Sequence, residues 1–288
     1  MLMNMGELLA VANEHNFAVP AFNIGAGQIL KAVIECCEEK KAPVILAIHP
    51  LELEFQGDCF IASCIAAAHA SKVPMVIHLD HGSKMEQILH AIRVGFTSVM
   101  IDASHMSLED NIEISKKVVE IAHPLNVSVE AELGTIGTTG TGGEYGADKI
   151  VYTDPDCAKK FVEKTGVDTL AIAIGTAHGI YPKGVKPKLK LDLLKEIKAK
   201  VSIPLVLHGG SSNPDDEIAE AVKRGINKIN ISSDIKAAFY DQCRKTLNEN
   251  IVYEPFLVYP ESINAMKDVI NFKIDLFNDA DKMKFYLL

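Results

Sequence analysis

The feature that most limits what this chain can become is an alternation. Eight short, apolar, β-branched runs recur along it, at residues 17–22, 44–48, 75–79, 98–102, 127–133, 169–174, 205–208 and 228–231. Amphipathic stretches with helical spacing separate them, at residues 29–40, 59–71, 85–94, 108–122, 155–164, 189–200 and 215–224. A short run that is apolar throughout reads as a parallel strand covered on both faces. Strands alternating with helices in this way predict βα units. Eight such units fit a closed (β/α)8 TIM barrel, which takes roughly 250 residues. The alternative, an open doubly wound sheet, would carry Gly-x-Gly-x-x-Gly after its first strand, and this chain does not. Pro43, Pro74 and Pro204 stand at strand entrances, where a missing amide donor is tolerated. Gly95, Gly166 and Gly225 follow helical stretches at the position of a left-handed cap. From about residue 245 the chain becomes a helical extension rich in Phe, Ile and Leu, suited to helix packing or subunit contact. Residues 1–288 are therefore expected to form a single barrel domain with a helical tail.

Composition excludes several function classes. A formal charge of −9 and no basic stripe argue against a nucleic-acid partner. Acidity does not bar an anionic ligand, because backbone amides and one metal ion reverse the field inside a pocket. The six cysteines, at positions 36, 37, 59, 64, 157 and 243, form no Cys-x-x-Cys pair and read as reduced, buried thiols. The first residues lack the basic region of a signal peptide, and no apolar run is long enough to span a bilayer. The expectation is a cytoplasmic protein with no membrane partner.

The chemistry concentrates at strand ends. His81, His178 and His208 each follow a strand-like run and precede a glycine. Active sites of such barrels are built where the C-terminal strand ends converge, and three imidazoles delivered there match the open ligand set of a catalytic zinc site. Asp80, beside His81, is a candidate base for a C–H or O–H proton, although an aspartate there could instead cap the next helix. His78 reads as a supporting or core residue, and His49, His69, His90, His105 and His123 as surface or core. Glu130 and Glu132 lie two apart and so face one side of the fifth strand. If that side is the interior, both need a metal or an ion pair, with Lys228 the evident partner. Asp102, at the end of the fourth strand, is a candidate for supporting a metal.

Two further loops suit an anion. The segment 208–212, His-Gly-Gly-Ser-Ser, follows the seventh strand, and 230–234, Asn-Ile-Ser-Ser-Asp, follows the eighth. Loops in these two places, with a helix N-terminus, form the recurrent phosphate site of this fold. Gly209 and Gly210 admit backbone amides to an oxyanion, while Ser211, Ser232 and Ser233 offer hydroxyls. Residues 134–149 carry six glycines and leave the fifth strand on the same face, as a lid would. A second loop, 181–188, follows His178.

Together these blocks resemble the class II, zinc-dependent ketose-bisphosphate aldolases, most closely the tagatose-bisphosphate and fructose-bisphosphate branch. The resemblance runs from about residue 18 through Asn230, through the segments 78–82, 98–105, 128–134, 173–179 and 205–211 in order. It implies that His81, His178 and His208 hold Zn2+, with a monovalent cation, Na+ or K+, as a further cofactor. It implies that Asp80 exchanges the proton of the carbon 4 oxygen. Asp102 and Glu132 match positions linked to an alternative metal site. Gly179, Gly209, Gly210, Ser211, Asn230, Ile231, Ser232 and Ser233 would bind the dihydroxyacetone phosphate half. The substrate would be a tagatose- or fructose-type ketose 1,6-bisphosphate, cleaved reversibly to dihydroxyacetone phosphate and glyceraldehyde 3-phosphate by a homodimer or homotetramer. The chain departs from the family in three places. Residues 47–54, Ala-Ile-His-Pro-Leu-Glu-Leu-Glu, replace a small Ser/Gly-rich segment and bear on whether the aldehyde half is phosphorylated. Glu144, the candidate for proton exchange at carbon 3, is followed by Tyr145 rather than a second acid. Ser212 stands where the phosphate loop usually has glycine. Two other classes compete. A non-catalytic accessory barrel would keep the phosphate loops without needing Asp80 and three histidines. A metal-dependent hydrolase would leave the paired phosphate loops unexplained.

Overall fold

The structure, a computed structural model, describes residues 1–140, 146–147, 149–249 and 251–286. Eight parallel strands close into a barrel: β1 (Val19–Asn23), β2 (Val44–Ile48), β3 (Met75–Gly82), β4 (Ser98–Ile101), β5 (Ser128–Leu133), β6 (Thr169–Ile172), β7 (Leu205–Leu207) and β8 (Ile226–Ile231). Each pairs with its sequence neighbours, and β1 returns to β8 with Val19 opposite Lys228 and Ala21 opposite Asn230. The expected (β/α)8 architecture is what forms. The three prolines immediately precede β2, β3 and β7. Gly95, Gly166 and Gly225 end helices at φ 101°, 71° and 103°.

Strand alternation sorts the core into two parts. One set of positions, including Phe22, Leu46, Ile77, Val99, Val129, Leu170, Leu207 and Ile229, packs outward against the ring of helices. The other set points inward, and its character changes along the barrel axis. At the lower, N-terminal end Val19, Ile45 and Val76 meet Met5, Leu8 and Leu9 of helix Met5–His15, which seals that end. Higher up, the inward positions become polar: His78 and Asp80 on β3, Glu130 and Glu132 on β5, Lys228 and Asn230 on β8.

Helix Ser233–Glu249 runs continuously through residue 245, and the C-terminal helices are Pro255–Val258 and Pro260–Leu276. The last of these packs on helices Gly27–Lys40 and Ser233–Glu249. Beyond it the chain passes beneath the barrel. Ala18 N–H donates to Phe277 O at 3.1 Å, Tyr286 Oη donates to Leu8 O at 2.8 Å, and Phe285 stacks on His15.

Three features differ from expectation. Residues 50–56, inside the segment that departs from the family, form a short helix, with Pro50 at its first turn and Glu52 reaching back to the His49 amide. Strand β6 ends at Ile172, and His178 lies in a separate two-residue strand, Ala177–His178, paired with Gly137–Thr138. Of the cysteines, Cys36, Cys37 and Cys64 are buried but Cys59 is exposed, so burial does not describe all six. Among the described residues no helix is long and apolar enough to cross a membrane.

Candidate active site

Strand β3 supplies two consecutive polar residues that simple alternation would send to opposite sides. The backbone prevents that. His81 adopts φ 52°, and β3 shifts register against β4 between Leu79 and Gly82. Both side chains consequently line one cavity of about 770 Å3 at the C-terminal mouth of the barrel. A left-handed histidine is strained backbone, kept only where surrounding contacts hold it. Here they do: His81 N–H points at Met100 Sδ at 3.4 Å, and His81 Nδ1 lies 2.8 Å from Asp102 Oδ2.

Asp80 does not cap the following helix, which begins at Met85. Its carboxylate accepts from Asn23 Nδ2 at 2.8 Å and from Asn230 Nδ2 at 2.9 Å, one donor per oxygen. Burial alone would raise its pKa, but the positive charge of His81 first, with that of Lys228, holds it well below the usual carboxylate range. Burial likewise opposes charge on His81, yet Asp80 and Asp102 outweigh it and raise the imidazole to about 10.

His208 follows β7 directly, with Nδ1 2.8 Å from His81 Nε2. Its other nitrogen lies 2.7 Å from Glu130 Oε1. Burial, reinforced by the neighbouring His81, lowers its pKa. Glu130 is the carboxylate with an ion-pair partner: Lys228 Nζ donates to both its oxygens, at 3.0 and 2.8 Å. Burial pushes Glu130 up, but Lys228 and His208 more than reverse it. His78 completes this layer, 3.8 Å from Glu130 through Nε2 and 2.8 Å from Ser98 Oγ through Nδ1. Glu132, one layer higher, faces the cavity with Oε2 lacking a hydrogen-bond partner. Burial, with Asp102 beside it, raises Glu132 to about 8.

The ring of His178 stands 5.0 Å from that of His81 and 6.1 Å from that of His208. Ligand atoms of the three histidines lie within 4.8 Å of one another, as do those of His81, Asp102 and Glu132. These residues fit a divalent metal ion of the zinc type. Imidazole nitrogens converge, two of the three rings are oriented through their far nitrogen by a carboxylate, and an unpartnered carboxylate oxygen waits alongside.

The segments after β7 and β8 also meet at this mouth. Gly179, Gly209, Ser211, Asn230 and Ser232 line the cavity, while Gly210, Ile231 and Ser233 stand behind them in the same segments. Gly209 has φ 63°, and a Cβ there would sit 2.7 Å from Ala177 O, so only glycine lets this loop pass the strand that carries His178. Ser212, at the position where the family has glycine, takes φ 56°. Its amide donates to Asp234 Oδ1 at 3.1 Å, which joins the two loops. Glu144 and Tyr145 lie outside the described residues.

The cavity also includes Asn23, Lys84 and Lys236, Glu52 of the segment that departs from the family, and His49 and His105, which were expected to be surface or core and instead line it. Asn23 and His49 end or follow barrel strands, the same placement that drew attention to the three histidines. Lys236 carried no such signal, because its role depends on Glu52, 184 residues away.

Comparison with known proteins agrees with this geometry. A family model for class-II fructose-bisphosphate aldolases matches residues 3–282. A protein named fructose-bisphosphate aldolase, found in two strains of Staphylococcus epidermidis, is 40% identical, the match covering 98% of this chain and 99% of that protein. The crystal structure of the YdjI aldolase from Escherichia coli K12 superposes with a TM-score of 0.85 at 33% identity, covering 98% of this chain and all of that one. A putative fructose-1,6-bisphosphate aldolase from Coccidioides immitis gives a TM-score of 0.85 at 29% identity, covering 98% of each chain. The match spans the barrel and every strand end that meets at its mouth, so the chain belongs to the class-II fructose-bisphosphate aldolase family and is an aldolase, a carbon–carbon lyase.

Proposed function

We propose that this aldolase uses zinc to cleave a phosphorylated ketose reversibly, releasing dihydroxyacetone phosphate and an aldehyde. The observation that carries the reading is Asp80, fixed by Asn23 and Asn230 beside His81. His81, His178 and His208 would hold the ion, with Asp102 and Glu132 as an alternative set. Bound there, zinc supplies Lewis-acid stabilisation of charge on the ketose oxygens. Asp80 takes the proton of the carbon 4 hydroxyl as the carbon 3–carbon 4 bond breaks, and the electron pair stays with carbon 3. In condensation the same carboxyl returns that proton to the former aldehyde oxygen. Two amide donors leave Asp80 ionised and correctly aimed before substrate arrives. Lys228 cannot serve as a Schiff-base amine, because it is buried and engaged by Glu130. Glu144 is the proposed group for the proton at carbon 3.

Gly179, Gly209, Gly210, Ser211, Asn230, Ile231, Ser232 and Ser233 would bind the 1-phosphate, with Na+ or K+ as an accompanying ion. For the aldehyde half, the family supports a tagatose- or fructose-type 1,6-bisphosphate yielding glyceraldehyde 3-phosphate. A specific observation, the pairing of Glu52 with Lys236, favours a ketose 1-phosphate with an unphosphorylated aldehyde half. The chain is proposed to act in the cytoplasm as one barrel domain with its helical tail. The exposed Ile251, Tyr253, Phe256 and Leu257 support assembly into a homodimer or homotetramer. Dihydroxyacetone phosphate release from a panel of ketose phosphates, with chelator and zinc add-back, tests the proposal. Chelator-sensitive release is the expected result. No release from any ketose by the zinc-loaded protein would turn the reading toward an accessory barrel.

A further inference from the structure

We propose that Glu52 and Lys236 form a charge-neutral wall that selects a ketose 1-phosphate with an uncharged, hydroxylated aldehyde half and rejects a distal phosphate. The inference rests on the aldolase reading above and specifies its substrate class. If the 1-phosphate lies in the loops after β7 and β8 and Asp80 works at carbon 4, the remaining carbons extend past Asp80. His49 borders that space. Its ring stands 6.4 Å from that of His81, and Asp80 and Glu52 are among its nearest charges.

The pair is a built feature. Glu52 Oε1 meets Lys236 Nζ at 2.7 Å, and Glu52 Oε2 accepts from the His49 amide at 3.2 Å. The Gly25 backbone passes so close that a Cβ there would lie 2.7 Å from Glu52 Oε1. Gln56 Nε2 donates to Gly25 O at 2.6 Å and ties that backbone to the short helix. Both side chains line the cavity and are mostly shielded, at 17% exposure for Glu52 and 32% for Lys236.

Lys236 is thereby an occupied cation. A second phosphate bound there would have to share that ammonium with Glu52, which would place a carboxylate next to a dianion in a partly desolvated wall. Hydroxyls meet no such conflict. A paired carboxylate still accepts and a paired ammonium still donates. His49 Nδ1 accepts from the Leu51 amide at 3.2 Å, which leaves Nε2 as the N–H donor of that ring. Lys84, the other lysine of the cavity, is exposed at the rim, where water screens its pull on a phosphate.

The test compares kcat/KM for ketose 1,6-bisphosphates with that for the matching ketose 1-phosphates, using the zinc-loaded wild type, Glu52→Gln, Lys236→Met and Lys84→Ala. Wild type should favour the 1-phosphate by about 10-fold or more. Glu52→Gln, which frees Lys236, should move the ratio about 10-fold toward the bisphosphate, and Lys236→Met should move it the other way. A merely structural role for Glu52 in capping its helix would depress both substrates equally and leave the ratio unchanged, which would overturn the proposal. A wild-type preference for the bisphosphate that Lys84→Ala abolishes would overturn it as well. Failure to release dihydroxyacetone phosphate from either substrate class would instead count against the aldolase reading itself.

Discussion

At the lower end of the barrel, Met5, Leu8 and Leu9 plug the interior against Val19, Ile45 and Val76, and the side chains there are apolar and fully buried. At the upper end the same inward-facing register carries Asp80, Glu132 and His208, with a strained His81 beside them. Between them, Glu130 and Lys228 form a closed ion pair that touches His208 on its upper side. Fold and strand order are common to both ends, so height along the axis alone separates a sealing layer from a reactive one. Glu130 and Glu132 make the contrast sharpest. They are two residues apart on one strand, yet one has every oxygen engaged and sits far below the usual pKa, while the other keeps a bare oxygen and rises to about 8.

Substitutions at the two ends should therefore fail in different ways. Asp80→Ala should lower kcat by about 10²–10⁴-fold while zinc content, measured by metal analysis, stays at the wild-type level. Full activity in that variant would remove Asp80 from the chemistry. His208→Ala should lose bound zinc and, with it, turnover. Undiminished zinc in the purified protein would mean that the ligand set is wrong.

Leu9→Ala, at the opposite end, should cost about 2–5 kcal/mol of stability in urea unfolding and leave turnover per folded molecule unchanged. A fall in kcat would erase the proposed division of labour. The smallest effect belongs to Asp279, in the C-terminal segment that closes the lower end. Its carboxyl is buried with neither oxygen hydrogen-bonded, and that burial raises its pKa well above 3.8 despite nearby Lys282. A raised acid stabilises the fold fully below its unfolded pKa, and this contribution is lost as pH rises through the folded value. Asp279→Asn should thus gain on wild type progressively in urea midpoint as pH rises above about 4. A difference between the two proteins that is constant with pH would show that Asp279 is not the group responsible.

Much of this contrast was legible in the sequence, and the rest was not for definable reasons. Runs covered on both faces, prolines at strand entrances and glycines at helix ends are local signals, and they located the barrel. Glycine after strand-end histidine located His81, His178 and His208. What escaped were contacts made only by folding. Lys228 with Glu130 was readable because both lie in strands at interior positions. Glu52 with Lys236 was not, since one sits on a helix that the pattern missed and the other on the helix after β8. The left-handed backbone at His81 was equally hidden, because a histidine carries no marker for that conformation as glycine does.

The short ladder between Gly137–Thr138 and Ala177–His178 couples two parts that are usually treated separately. Thr139 N–H donates to the carbonyl of His178 at 2.8 Å, so the glycine-rich segment after β5 is fastened to a proposed zinc ligand by main-chain bonds. Whatever displaces that segment pulls on the third imidazole through a lever two residues long. Under the zinc proposal, the hold of His178 on the ion and the placement of residues 137–139 would be a single mechanical variable.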